Sequence, residues 1–168
     1  MSEKQLKQAY LNKLRPYFDI EEEVRGAHFS GKKLRIDAVV RPSVEHRSKW
    51  KRPDVALGIE FKDTKRFSQN YDTKNYTKWL SQCIDYTNTE WEGYGYLYVL
   101  TCPGILCDIR GLSNETFLRN LMGQIKIGEL TQTHGGLTML LHGHHRIWSE
   151  QEGVSMGKHW PLERTFGS

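Results

Sequence analysis

Asp37, Glu60 and Lys62 stand in segments that otherwise read as buried strand. Asp37 lies inside LRIDAVV (34–40), and Glu60 and Lys62 alternate with Ile59 and Phe61 in GIEFK (58–62). Residues two apart in an extended chain share a face, so Glu60 and Lys62 form one polar side while Ile59 and Phe61 point the other way. If the two segments are neighbouring antiparallel strands, opposed residues lie about 4.5–5.5 Å apart, and the carboxyls of Asp37 and Glu60 converge. Two carboxylates at that range repel unless one is protonated or a cation lies between them. A hard divalent ion with oxygen ligands answers this. Mg²⁺, with Mn²⁺ as a substitute, keeps several waters when held by one or two carboxylates. Lys62 then stands beside a water that it can orient or help to deprotonate. Such equipment suits phosphodiester hydrolysis, whose uncatalysed slowness demands on the order of 20 kcal/mol of assistance, much of it within reach of a metal ion.

The charge distribution points the same way. The 168 residues carry a net +4, but residues 32–66 alone hold eleven Lys/Arg against five acids, leaving the remainder at −2. A basic field beside buried acids attracts polyanions. The candidates for holding phosphates are Arg41, Arg47, Lys49, Lys51, Arg52, Lys65 and Arg66. Trp50, between two lysines in a stretch without apolar period, can stack on bases or pin its loop to the body.

These residues need a scaffold. Charged residues at 26% and hydrophobic residues at 38% describe a folded domain of ordinary composition. The length suits one domain over 1–168 with a real core. No apolar run reaches membrane-spanning length, and the first residues lack an apolar signal region, which leads to an expectation of a cytoplasmic protein. Ser2 and Gln5 form a capping-box pattern that opens a helix over about 3–17, with Leu6, Ala9, Tyr10, Lys13, Leu14 and Tyr17 at helical spacing. Three strands follow: DIEEEVRG, the segment ending at Val40 after a Ser30-Gly31 turn, and VALGIEFKD. A helix comes next, with Tyr76, Trp79, Leu80, Cys83 and Ile84 on its apolar face. EGYGYLYVLTCPG reads as one further strand with Tyr94, Tyr96 and Tyr98 in a packed row. LSNETFLRNLMGQ reads as a short helix, GGLTMLLHGHHRIWS as a hairpin turning near Gly143, and the last twenty residues show no period. Cys102, Cys107 and the histidines at 142, 144 and 145 fit no common zinc spacing.

The α-β-β-β-α-β order, the acid of RIDAVV, the E-x-K of IEFK and the Q-x-x-x-Y of QCIDY (Gln82 to Tyr86) together resemble the PD-(D/E)xK nuclease superfamily, in its RecB-like branch. The resemblance covers about residues 2–100 and leaves 104–168 as a helix-and-hairpin elaboration. It implies an α/β restriction-endonuclease-like core, a central mixed sheet flanked by helices, and Mg²⁺-dependent hydrolysis of DNA. By that likeness Asp37, Glu60 and the Phe61 carbonyl hold the metal, and Lys62 activates water. Gln82 and Tyr86 align the scissile strand, and the protein acts as a homo-oligomer or within a larger DNA-processing complex; Glu3 of the first helix either reaches the metal or the water or simply favours the helix dipole. A literal Pro53-Asp54 also precedes Glu60. Six residues of strand place Asp54 roughly 20 Å from Glu60, too far to share an ion, so Pro53-Asp54 is expected to be the turn entering the strand. Two competitors stay open: a catalytically inactive nucleic-acid-binding module on the same fold, and a protein-interaction factor whose charges are all surface.

Overall fold

A computed structural model describes residues 1–63, 73–104, 121–122, 124–141 and 145–155, with backbone alone for 73–76. The first helix, α1 (Glu3–Leu14), opens with the capping box that Ser2 and Gln5 encode: Gln5 N–H donates to Ser2 Oγ and Ser2 N–H donates to Gln5 Oε1. It ends two residues before Pro16. Its buried stripe is Lys7, Leu11 and Leu14. Ala9 and Lys13, expected on that stripe, face solvent.

The strands are β1 (Phe18–His28), β2 (Lys33–Pro42), β3 (Leu57–Phe61), β4 (Thr89–Trp91), β5 (Tyr98–Cys102), β6 (Ile127–Thr133), β7 (Gly136–Leu141), β8 (His145–Ser149) and β9 (Gly153–Val154). A second helix, α2 (Thr73–Thr87), lies in the connection from β3 to β5. Together they form a nine-stranded sheet in the order β4-β1-β2-β3-β5-β6-β7-β8-β9. β1, β2 and β3 form an antiparallel meander, whereas β3, β5 and β6 run parallel. A parallel step between β3 and β5 needs a long crossover, and α2 lies within it. The class is mixed α/β. Among the described residues no helix is long and apolar enough to cross a membrane.

Two cores clothe the sheet. Leu11 and Leu14 of α1 pack with Ala38, Val40, Ile59 and Phe61. Trp79, Cys83 and Tyr86 of α2 pack with Val24, Ile36, Val39 and Val99. Ala38 and Ile36 lie two apart on β2 and would share a face in a regular strand, yet they belong to different cores. The β1–β2 hairpin therefore swaps faces around Asp37, opposite Glu23, whose φ of 57° is left-handed. Gly58 makes room for this: a Cβ there would lie 2.6 Å from Ile36 Cδ1.

The C-terminal half departs from expectation. The segment from 92 to 104 is not one strand. Gly93 and Gly95, at φ 81° and 72°, turn the chain between β4 and β5. The tyrosine row splits accordingly. Tyr98 is core and Tyr96 is 54% exposed, while Tyr94 donates to Glu21 Oε2 at 2.5 Å. β6 is an additional strand, turning at His134-Gly135 into β7. β7 and β8 are antiparallel as expected, and the turn near Gly143 lies outside the described residues. So do most of the helix expected over 112–124 and all of the last thirteen residues.

Gly26 tests the hairpin's packing. A Cβ there would meet Trp91 Cε3 at 2.6 Å, Thr89 Cγ2 at 2.7 Å and the Glu90 carbonyl at 2.8 Å. Gly26→Ala is expected to destabilise the fold by about 1–3 kcal/mol and lower Tm on the order of 5 °C, measured by circular-dichroism melting. An unchanged Tm would mean that β4 does not pack on β1 in this way.

Candidate active site

Glu60 sits on β3 between β2 and β5, and only 5% of it is exposed. Strand alternation turns it away from Ile59 and Phe61, toward α2. There Gln82 Nε2 donates to Glu60 Oε1 at 3.0 Å and to the Tyr86 hydroxyl at 2.8 Å, and that hydroxyl donates to the Arg35 carbonyl at 3.0 Å. The spacing of four stacks Gln82 and Tyr86 one turn apart on α2, so one chain of hydrogen bonds runs from the helix to β3 and β2.

Asp37 closes the other side. The β2–β3 ladder ends at Ala38↔Ile59. The next N–H of β3, that of Phe61, is taken by Asp37 Oδ2 at 2.8 Å. The side chain thus replaces a ladder bond at the point where β2 changes faces. In an antiparallel ladder a residue's N–H and C=O leave the same edge, so the Phe61 carbonyl points toward the same gap. Lys62 Nζ stands 3.9 Å from Glu60 Oε1, with its side chain 29% exposed.

The electrostatics follow from this enclosure. Burial raises the Glu60 pKa to about 9; the neighbouring Asp37 adds to the rise and Lys62 opposes it. Without a cation, Glu60 keeps its proton at neutral pH. Asp37 in turn faces Lys7 of α1. Lys7 Nζ is 2.5 Å from Glu23 Oε1, 3.5 Å from Asp37 Oδ1 and 3.6 Å from Glu22 Oε2. Burial works to lower the Lys7 pKa, but the Glu23 hydrogen bond and the surrounding acids raise it overall. Glu23 is lowered, chiefly by the same hydrogen bond. Sequence reasoning missed Lys7. Its only signal was a lysine four and seven residues before Leu11 and Leu14, on the stripe that the helix buries.

The structure thus gathers Asp37, Glu60, Lys62, Gln82 and Tyr86. Tyr86 is 4% exposed and its hydroxyl is spent on Arg35, so it fixes Gln82 and β2 from within the core. Glu3 is near but faces elsewhere: its Oε2 accepts the Asp63 N–H at 3.3 Å, one residue past Lys62. Asp54 is exposed and pairs with Arg52 in the turn before β3, away from the site.

The basic loop does not reach the carboxyl pair. Ser43 N–H donates to the Tyr17 carbonyl, and Arg47 bonds the Pro42 carbonyl and Asp19. These contacts pin the loop at the Phe18–Pro42 end of the hairpin, five residues or roughly 17 Å along β2 from Asp37. Lys49 and Lys51 are exposed on this loop. Of the two readings of Trp50 the structure favours the anchor: it is 3% exposed and packs edge-on against Phe18, so its ring pins the loop to the body rather than standing open to stack on a base. Arg41 lies over the Tyr94 ring at 4.8 Å. Lys65, Arg66, Cys107, His142 and His144 lie outside the described residues.

The donor set suits a divalent cation. Two carboxyls face one enclosed gap, a backbone carbonyl is aimed at it, and an ion could replace the proton that Glu60 holds there. Among the described residues no group of three or more His, Cys, Asp or Glu side chains gathers for a metal. A cation here would complete its shell with the carbonyl and water, as Mg²⁺ does. Comparison of the chain with protein-family models, with curated proteins and with solved structures found no match.

The raised Glu60 pKa fixes a pH dependence. Between the ordinary glutamate range and about pH 9 the folded state holds a proton that the unfolded chain has released, so stability falls as pH rises through that window. In EDTA, Tm should decline from pH 5 to pH 9. Glu60→Gln, which keeps a hydrogen-bond donor toward Asp37 and an acceptor for Gln82, should flatten that decline and melt above the parent at pH 9. Parallel pH profiles for the two proteins would show that Glu60 is not protonated in the fold.

Proposed function

We propose that this chain is a metal-dependent nuclease that hydrolyses phosphodiester bonds of DNA, built on a restriction-endonuclease-like core. The observation that carries the reading is the convergence of Asp37 and Glu60 from adjacent strands with Lys62 at their side. The meander, the α2 crossover and the parallel β5 supply the element order that such a core requires. Gln82 and Tyr86 lie on the helix where the resemblance places them.

Mg²⁺, or Mn²⁺ in its place, would neutralise charge at the phosphate and lower the pKa of the attacking water. Asp37, Glu60 and the Phe61 carbonyl would hold it. On binding the ion, Glu60 would release its proton to water. Gln82 keeps Oε1 of Glu60 fixed, and the Phe61 N–H keeps Oδ2 of Asp37 fixed, so both remain aimed without reorganisation at the moment of reaction. Lys62, partly exposed at the mouth, places a positive charge beside the attacking water and the scissile phosphate. Lys7 and its acids brace Asp37 from the α1 side.

Incubation with linear, circular and single-stranded DNA in Mg²⁺, Mn²⁺ or EDTA tests the reading. Cleavage should need a divalent ion. Asp37→Ala and Lys62→Ala should each lower the rate at least a thousandfold while leaving a cooperative melting transition. Ion-dependent cleavage that survives either change would remove the assignment. DNA binding without turnover would leave a binding module on the same scaffold.

A further inference from the structure

We propose that the β1–β2 hairpin, rather than the basic loop after β2, is the track that carries an unpaired DNA strand to the carboxyl pair. The inference rests on the nuclease reading and names how its substrate is held. Beyond the face swap at Asp37, the side of the hairpin turned away from α2 carries Arg25, Lys33 and Arg35, all exposed. Arg25 and Arg35 are direct cross-strand partners. Like charges directly opposite each other destabilise a sheet, so this pair works against the hairpin's own stability and suits an anionic ligand. Among the described residues neither Arg25 nor Lys33 has an ion-pair partner. Arg35 is held to Glu23 through Nε at 2.8 Å, with its side chain 66% exposed.

The spacing leads to the site. Arg35 is two residues from Asp37 and Lys33 is four, about 7 and 13 Å along β2. An open groove of about 980 Å³ runs beside them. Glu90 and Glu92, on β4 and the turn that follows it, also line the groove. At the tip Phe29 is 79% exposed and lies beside the His28 ring at 4.2 Å. Lys32 follows in the same turn, 63% exposed. An exposed ring among cations is a stacking platform for an unpaired base.

Fluorescence anisotropy with a labelled single-stranded DNA oligonucleotide in EDTA tests this, over a series of salt concentrations. Arg25→Glu/Lys33→Glu should weaken binding at least tenfold and reduce the salt slope by about 1.4, the loss of two single-strand phosphate contacts. Lys49→Glu/Lys51→Glu, with the same change in net charge, should bind within threefold of the parent with its slope intact. Phe29→Ala should weaken single-strand binding at least fivefold and duplex binding less. Circular dichroism checks folding, and the milder Arg25→Gln/Lys33→Gln pair repeats the test with less perturbation. A hairpin variant that binds like the parent, or a loop variant that loses as much, overturns the proposal while leaving the nuclease reading standing if the parent cleaves DNA. Hairpin-dependent binding by a parent that never cleaves has the opposite meaning.

Discussion

Everything in this fold that bears on chemistry depends on two acidic side chains placed where their charges cannot both persist. Asp37 and Glu60 meet across the end of the β2–β3 ladder, and Glu60 is enclosed between β2, β5 and α2. Desolvation and a neighbouring acid push its proton affinity to about pH 9. A buried acid in that condition costs stability unless something positive takes the proton's place. The scaffold treats the pair as worth keeping. Gln82 fixes one oxygen of Glu60, the Phe61 N–H fixes one oxygen of Asp37, and cations stand on either side at Lys62 and Lys7.

The architecture explains why these groups meet. The antiparallel β2–β3 pairing brings the acids opposite each other. The α2 crossover that makes β5 parallel to β3 also carries Gln82 over Glu60. The face swap at Glu23 and Asp37 ends the ladder there and opens the gap. It also sends the far part of the β1–β2 hairpin away from the α1 core, and its arginines face solvent. One local distortion therefore shapes both the carboxyl pair and the surface beside it.

Much of this was legible in the sequence because it obeys short periods. Alternation of two placed Glu60 and Lys62 on one face, spacing of four stacked Gln82 and Tyr86, and Ser2 with Gln5 marked the helix start. What failed lacked a period or had two readings. Lys7 on a buried stripe looks like any lysine with its stem on apolar surface, and only the acids of β1 give it another role. Trp50 in a basic loop reads equally as a stacking ring or an anchor until its burial is known. Gly93 and Gly95 interrupt what looked like one strand, a signal that glycine inside a strand pattern carries. The concentration of charge over residues 32–66 did not reveal that the two ends of β2 are far apart. The strands and loops share that charge, but only one end lies near the acids.

The most direct test of the central claim is titration calorimetry of Mn²⁺ into the protein at pH 7.5, repeated in buffers of different ionisation enthalpy. If the carboxyl pair exchanges the proton on Glu60 for a cation, binding should release close to one proton per ion and disappear in Asp37→Ala. Absence of binding, or binding that releases no proton and persists in Asp37→Ala, would contradict the account.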